Sequence, residues 1–371
     1  MSSQDVAKRF IFTALFLICI TSCVPLKSIF LGRPDKNDAY RFDSNVTYPQ
    51  ETNFQFDKLP ENHLIQVNDW TRDLPEFKPL QAVCKTHEVR EMIIIKNDTI
   101  IFDYRKNHKN QLKLHSAYSI SKSIVSCLIG MAIEDQFIED ENELVINYLP
   151  ELIKDKHSAS LTIKHLLNHT SGIKSSLTMD GQLYYGNDIR KEIKKVRFES
   201  NPGERQKYLN INTQILGLVL SKAVGKSLSD YAKERLWHPI GISNEILWST
   251  DKKGVEKAFC CVSASTLDYA KFGRLYLNGG VWNDKRILSE YWYNQSIRRD
   301  TSDGSSFNFN YSWHIGLEQY GDFMAIGLYK QHLYIYPEKG IIIVLNNDRE
   351  NKLDAERVNW WNVFRQIVDQ L

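Results

Sequence analysis

The chain carries almost no charge excess. In 371 residues, 47 Lys and Arg stand against 45 Asp and Glu, a formal net charge of +2. That balance excludes binding to nucleic acid or to an anionic membrane through bulk charge. No Walker A loop, G-x-G-x-x-G or H-E-x-x-H occurs, so phosphate-cradling loops and zincin chemistry are unsupported. No G-x-S-x-G occurs either, which removes the usual nucleophile elbow of α/β-hydrolases. The six cysteines show no C-x-x-C spacing, so neither a zinc site nor a disulfide framework is suggested. Cys84, Cys127, Cys260 and Cys261 read as buried free thiols, and the adjacent pair Cys260 and Cys261 is not expected to bond to itself. No internal repeat or low-complexity tract is present. What remains is an ordinary globular composition, 42% hydrophobic, 12% aromatic and 25% charged, which excludes a disordered, collagenous or coiled-coil chain. The length admits two domains, or one large α/β unit with an inserted lobe.

A long apolar run is also missing. The longest one near the start, Phe10 to Ile20, follows Lys8 and Arg9 and is about half the ~20 residues a membrane span needs. Ile20-Thr21-Ser22-Cys23 then supplies small residues ending in Cys. This resembles a bacterial lipobox, with residues 1–22 as a lipoprotein-type signal peptide and Cys23 as the lipidated first residue. An uncleaved anchor extended to Phe30 is the alternative. The lipobox reading implies a chain held by lipid at the bacterial cell envelope, facing the periplasm or the surface. Residues 23–85, polar with scattered aromatics and Pro, read as a tether and irregular lead-in. Residues 86–371 form the folded domain.

Within that domain, Glu91–Ile95 and Thr99–Tyr104 flank Lys96-Asn97-Asp98, a strand–turn–strand signal. Ile120, Ile124, Cys127, Leu128 and Met131 then share one helix face, while Ser123, Ser126 and Gly130 suggest close packing on the others. The middle of the chain alternates short helical patterns with turns. Leu161–Leu167 is a helix stopped at Thr170-Ser171-Gly172. Ile211–Val224 is a helix with Gly225 as its C-cap, and Leu267–Leu277 is another. Leu333–Tyr336 and Ile341–Leu345 are strands joined at Pro337–Gly340, and Ala355–Leu371 is a terminal amphipathic helix. Strands at both ends around a helical middle predict an α+β fold with one sheet built from the two chain ends.

Two short motifs carry chemistry. S-x-x-K occurs at Ser119–Lys122, Ser171–Lys174 and Ser249–Lys252, but only Ser119 opens a long apolar helix. There the helix dipole favours a developing alkoxide, and the free amide of Ser119 is available to an oxyanion. Lys122 lies one turn on, on the same face; if buried, its pKa falls and it can act as a base. The same residues also fit a plain N-cap and a surface charge. Y-x-N occurs at Tyr185–Asn187, Tyr208–Asn210 and Tyr276–Asn278. Only Tyr208-Leu209-Asn210 follows Pro202-Gly203 and precedes a helix, a position from which it projects into a cleft. Its phenol is a candidate general base, and Asn210 can hold a substrate amide or the Lys122 side chain. Tyr208 also fits an aromatic packed at a turn. His165 and His169, four apart on a helix, can share a metal but lack the acidic partner of a zincin; no metal is expected.

The order and spacing of these motifs resemble the serine β-lactamase and penicillin-binding-protein superfamily. The nearest likeness is its class C β-lactamase-like branch of esterases, D-alanyl-D-alanine peptidases and 6-aminohexanoate-oligomer hydrolases. Leu161–Gly172, Leu236–Gly241 and Asp268–Gly273 are similar to stretches of that branch, and no Ser-Asp-Asn motif of the class A enzymes is present. The resemblance implies a mixed α/β sandwich, an antiparallel sheet from both chain ends flanked by helices, with a helical lobe and the site between. It implies a serine hydrolase acting through an acyl-enzyme on an ester or amide, without a cofactor. Ser119 would be acylated, Lys122 and Tyr208 would move its proton, and Asn210 would orient substrate. A third motif, Lys-Thr-Gly or His-x-Gly, matches Gly327-Leu328-Tyr329-Lys330-Gln331 with two departures: Leu328 replaces the base and Lys330 replaces Gly. These departures imply weakened binding of a substrate carboxylate, a narrower cleft and little β-lactamase activity. Positions 328 and 330, read as strand, share a face, which makes Lys330 a candidate for the lost charge. The amide near Gln331 would be the second oxyanion donor. The departures also motivate an alternative: a catalytically impaired surface protein that binds cell-wall or peptide ligands.

Overall fold

The computed structural model describes residues 34–35, 37–69, 76–106, 114–153, 156–347 and 358–371. The signal segment and Cys23 lie outside the described residues, as do 355–357 of the expected terminal helix. Among the described residues, no helix is long and apolar enough to cross a membrane.

Eight strands form the main sheet: β1 (Asp57–Lys58), β2 (Glu91–Lys96), β3 (Thr99–Arg105), β4 (Phe309–Asn310), β5 (Trp313–Ile315), β6 (Phe323–Gly327), β7 (Gln331–Tyr336) and β8 (Ile341–Asn346). Their order is β4-β5-β6-β7-β8-β2-β3-β1. The two chain ends meet where β8 pairs antiparallel with β2, Ile341 opposite Lys96 and Asn346 opposite Glu91. The expected hairpins are both there. Asn97 and Asp98 take left-handed φ values of 48° and 61° between β2 and β3, and Gly340 does so at 65° between β7 and β8. One detail differs from the expected antiparallel sheet. The short β1 pairs parallel with β3, so the sheet is mixed.

The strands read as unbroken apolar runs because both sheet faces are covered. Ile93, Ile95, Leu333, Ile335, Ile342 and Val344 face one core. There they meet helices α1 (Ile120–Glu134) and α5 (Thr266–Leu277), labelled with α2 (Ile163–Leu167), α3 (Leu177–Tyr185), α4 (Asn210–Val224) and α6 (Trp360–Gln370). Met92, Ile94, Tyr334, Ile343 and Leu345 face the other core, against Val363, Phe364, Ile367 and Val368 of α6. Helix α1 is buried from Ile120 to Ala132. Its small residues let neighbours approach: a Cβ on Gly130 would stand 2.2 Å from Cγ of Trp292.

The lead-in is less irregular than its composition suggests. Ser44–Thr47 pairs with Ile246–Ser249 at the edge of a second, four-stranded sheet, and Leu80–Thr86 is a helix. That second sheet also contains Val262–Ala264 and His115–Ser116, whose chain runs directly into α1.

The cysteine reading needs one correction. Cys260 and Cys261 are joined to each other, their Cα atoms 3.7 Å apart. The chain turns there, with Cys261 left-handed at φ 73°, a local backbone geometry that spacing alone does not reveal. Cys84 and Cys127 are buried free thiols, as expected. Replacing Gly130 by Ala tests the packing of α1. Ala normally stabilises a helix interior by up to about 1 kcal/mol over Gly, whereas the Trp292 contact predicts a loss of about 1–3 kcal/mol in chemical denaturation. A gain in stability would contradict the packing described.

Candidate active site

The local backbone builds the site in a few residues. The strand at His115–Ser116 ends, Ala117 N–H donates to the Val262 carbonyl at 2.8 Å, and Tyr118 turns the chain with a left-handed φ of 46°. For a bulky residue that is a costly conformation, of the kind found at functional sites. Ser119 follows as the N-cap of α1. The amides of Ile120, Ser121 and Lys122 donate to the carbonyls of Ala117, Tyr118 and Ser119. Among the described residues no backbone carbonyl accepts from the Ser119 amide, which leaves it at the positive end of the helix.

Lys122 is fully buried, and its Nζ donates to Ser119 Oγ at 2.8 Å and to the Phe259 carbonyl at 2.8 Å. Burial pulls its pKa down to about 7, and the charge of Asp180 opposes that fall. Tyr208 comes from the loop before α4. Although 46% of the residue is open to solvent, its phenol lies near enough to the Ser119 hydroxyl for that group to affect its acidity. Desolvation pushes the phenol up to about 12, with the Ser119 hydroxyl acting against it. Lys122 Nζ lies 5.0 Å from the centre of the Tyr208 ring. The structure therefore brings the three side chains together around Lys122. Their acidities move in opposite directions: burial brings the amine down toward neutral pH and the phenol up, away from it.

Asn210 does not reach Lys122 by any hydrogen bond; its Nδ2 donates to Asp180 Oδ1 at 3.2 Å. Asp180 on α3 is the site residue that the sequence reading missed. Its pKa is raised by burial, against the pull of Asn210 and Lys122. In sequence it is only an acid in the first turn of a helix capped by Ser176, a commonplace pattern with no functional signal.

The third motif is placed differently from the strand reading. Gly327 and Gln331 are paired across β6 and β7, and residues 328–330 form the turn between them, with Tyr329 and Lys330 both left-handed at φ 62°. The premise that 328 and 330 share a sheet face therefore fails. Leu328 is 44% exposed. Lys330 instead lines a cavity of about 350 Å³ on the outer side of the sheet, with Met324, Ile326, His332 and Trp360. The turn still packs on the start of α1. A Cβ on Gly327 would come within 2.4 Å of the Ala117 carbonyl oxygen, and Tyr329 meets Tyr118 edge-on at 5.4 Å. Gln331 is buried, with its side chain bonded to Asn347.

The competing motifs are structural. Ser171 Oγ donates to Asn212 Oδ1 at 2.7 Å, Lys252 pairs with Asp43 at the surface, and Tyr276 is buried in the core. His165 is committed to the cap of α2, its Nδ1 accepting from the Thr162 amide at 3.1 Å.

With this geometry in hand, the chain compares as follows with known proteins. The beta-lactamase family model matches residues 92–366. The 6-aminohexanoate-dimer hydrolase of Paenarthrobacter ureafaciens is 21% identical over 312 residues, covering 77% of this chain and 78% of that protein. A Bacillus anthracis structure assigned as a 6-aminohexanoate-dimer hydrolase superposes with a TM-score of 0.76 at 22% identity, over 89% of this chain and 92% of its own. A family VIII carboxylesterase superposes with a TM-score of 0.60 at 16% identity, over 78% of this chain and 95% of its own. At such identities the structural likeness establishes the fold.

The Lys122 environment can be measured without any substrate. In a protein labelled with ¹³C at the lysine ε-carbons, one resonance should titrate near pH 7 and vanish in Lys122→Met. Asp180→Asn removes a negative charge that favours the ammonium, so that titration should move to lower pH. A lysine set titrating wholly near the ordinary ~10.4 would refute the burial argument.

Proposed function

The chain belongs to the beta-lactamase family, and from that premise we propose that it is a serine hydrolase of the class C β-lactamase-like type. The observation that carries the reading is the bond from Lys122 Nζ to the Ser119 hydroxyl at 2.8 Å, with the Tyr208 ring centre 5.0 Å from the same amine. In this reading neutral Lys122 takes the Ser119 proton, and Oγ attacks the carbonyl carbon of an ester or amide. The oxyanion lies between the Ser119 amide and a backbone amide near Gln331. Tyr208 gives its proton to the leaving group and recovers one from the Lys122 ammonium. Water then attacks the acyl-enzyme through the same groups in reverse.

The charges around the cleft narrow the substrate. Leu328 stands where the family pattern has a base, Lys330 lines the outer cavity, and an acid, Asp180, lies beside Asn210. A substrate carboxylate near the scissile bond finds repulsion there, whereas a neutral or amine-bearing acyl compound does not. This favours esterase or amidase activity over hydrolysis of β-lactams.

Incubation with a fluorophosphonate should add one adduct mass at Ser119, and p-nitrophenyl acetate should be turned over. Ser119→Ala should abolish both, and Lys122→Met should slow both by about a hundredfold or more. Nitrocefin should be hydrolysed weakly or not at all. Labelling that survives Ser119→Ala refutes the assignment. No adduct with any probe, together with saturable binding of a peptide or cell-wall fragment, would instead establish an impaired family member used for binding. We also propose, from Lys8-Arg9 and Ile20–Cys23 alone, a lipid anchor at Cys23 at the bacterial envelope. Cys23→Ser should then move the protein out of the detergent phase, and an unchanged partition would refute the anchor.

A further inference from the structure

Tyr208 sits on a loop, yet its phenol must be held to within a fraction of an ångström to serve Ser119. What holds it is the turn at His169-Thr170-Ser171-Gly172. Its backbone and side chains bind the loop at successive points: Glu199 N–H donates to the Gly172 carbonyl at 2.9 Å, Gly203 N–H to the Thr170 carbonyl at 2.7 Å and Lys207 N–H to the His169 carbonyl at 2.7 Å. The last point is made by a side chain. Leu209 N–H donates to Nδ1 of His169 at 3.1 Å, so Tyr208 is bracketed on both sides by bonds to one residue.

The imidazole also lies against the phenol itself. The two rings stack at 4.4 Å and 21°, and Phe309 closes on them edge-on, 5.5 Å from His169 and 5.8 Å from Tyr208. Because an amide can only donate, Nδ1 is the acceptor and the proton sits on Nε2. Asn212 Nδ2 donates to the same Nδ1 at 3.1 Å, and its Oδ1 accepts from Ser171, which fixes the ring plane. His169 is fully buried and itself left-handed at φ 58°. Burial and the nearby Lys122 cation keep it neutral, its pKa well below the ordinary value.

We propose that His169 is a positioning residue for Tyr208, its Nδ1 acceptor holding the Leu209 amide so that the phenol stays beside Ser119 and Lys122. This rests on the serine-hydrolase reading above and adds to it a residue that touches neither substrate nor nucleophile. Loss of the acceptor leaves a buried amide unpaired and frees the loop next to the phenol. A displacement of about 1 Å there is enough to cost about a hundredfold in rate.

Two variants separate this from simple packing. His169→Phe keeps a ring against Tyr208 but removes the acceptor. His169→Asn removes the ring but keeps an acceptor near the Nδ1 position, and Asn tolerates the left-handed backbone. The rates of fluorophosphonate adduct formation at Ser119, and kcat and KM for p-nitrophenyl acetate, are compared with wild type. The expected result is a loss of about a hundredfold in adduct rate and kcat for His169→Phe, with KM little changed, and a rate within about fivefold of wild type for His169→Asn. Equal rates in all three proteins, or equal losses in both variants, overturn the proposal. If His169→Phe does not fold, His169→Asn decides alone: a rate within fivefold supports the acceptor role and a larger loss overturns it. A wild type that forms no adduct overturns the hydrolase reading and this one with it, whereas labelled wild type with unaffected His169→Phe overturns only this one.

Discussion

A lysine amine buried with two acceptors is the interaction on which the rest of the site depends. Removing an ammonium from water is costly, and among the described residues only the Ser119 hydroxyl and the Phe259 carbonyl take hydrogens from Lys122. The cost is met where it is useful, because the same burial that disfavours the charge makes the amine a base near neutral pH. Everything around it serves to keep water out while leaving the hydroxyl accessible. Helix α1 is buried on all sides over most of its length, yet Ser119 at its start remains half-exposed. Asp180 moderates the arrangement from the cleft, close enough to be felt by the amine but not bonded to it.

The backbone around this centre adopts conformations that the rest of the chain mostly avoids. Tyr118 immediately before Ser119, His169 beneath Tyr208, and Tyr329 and Lys330 in the turn packed on Tyr118 are all left-handed without being glycine. Each is a local cost that only the surrounding packing can sustain. Their grouping gives the site two converging supports. The turn between β6 and β7 fixes the start of α1, and the turn at 169–172 fixes the loop that carries the phenol. Both supports are rigid because they are attached to buried elements, the central sheet on one side and the helical lobe on the other.

The third motif departs from the family pattern without disturbing the sheet, because Gly327 and Gln331 still pair on either side of it. Gly327 has no room for a side chain, because a Cβ there would meet the Ala117 carbonyl oxygen. Position 328, in contrast, is partly open. In the proposed reading, the residues that would choose among substrates are exposed, while the helix behind Ser119 is packed.

Several features were determined by the sequence alone. The period of apolar residues, the Asn-Asp and Pro-Glu-Lys-Gly turns and the helix stops placed the hairpins, α1, α4 and α5, because these depend on neighbours within a few residues. Ser119, Lys122 and Tyr208 could be singled out from their repeats because each sits at a distinctive local junction, a helix start or a loop before a helix. Tertiary structure decided the rest. It brought Asp180 to the centre from a helix position that carries no mark of function, set His169, in sequence only a possible metal ligand, against Tyr208, bonded Cys260 to Cys261, and turned Lys330 to the outer side of the sheet. Those outcomes depend on burial and on contacts between segments distant in the chain, and neither quantity exists until the chain has closed on itself.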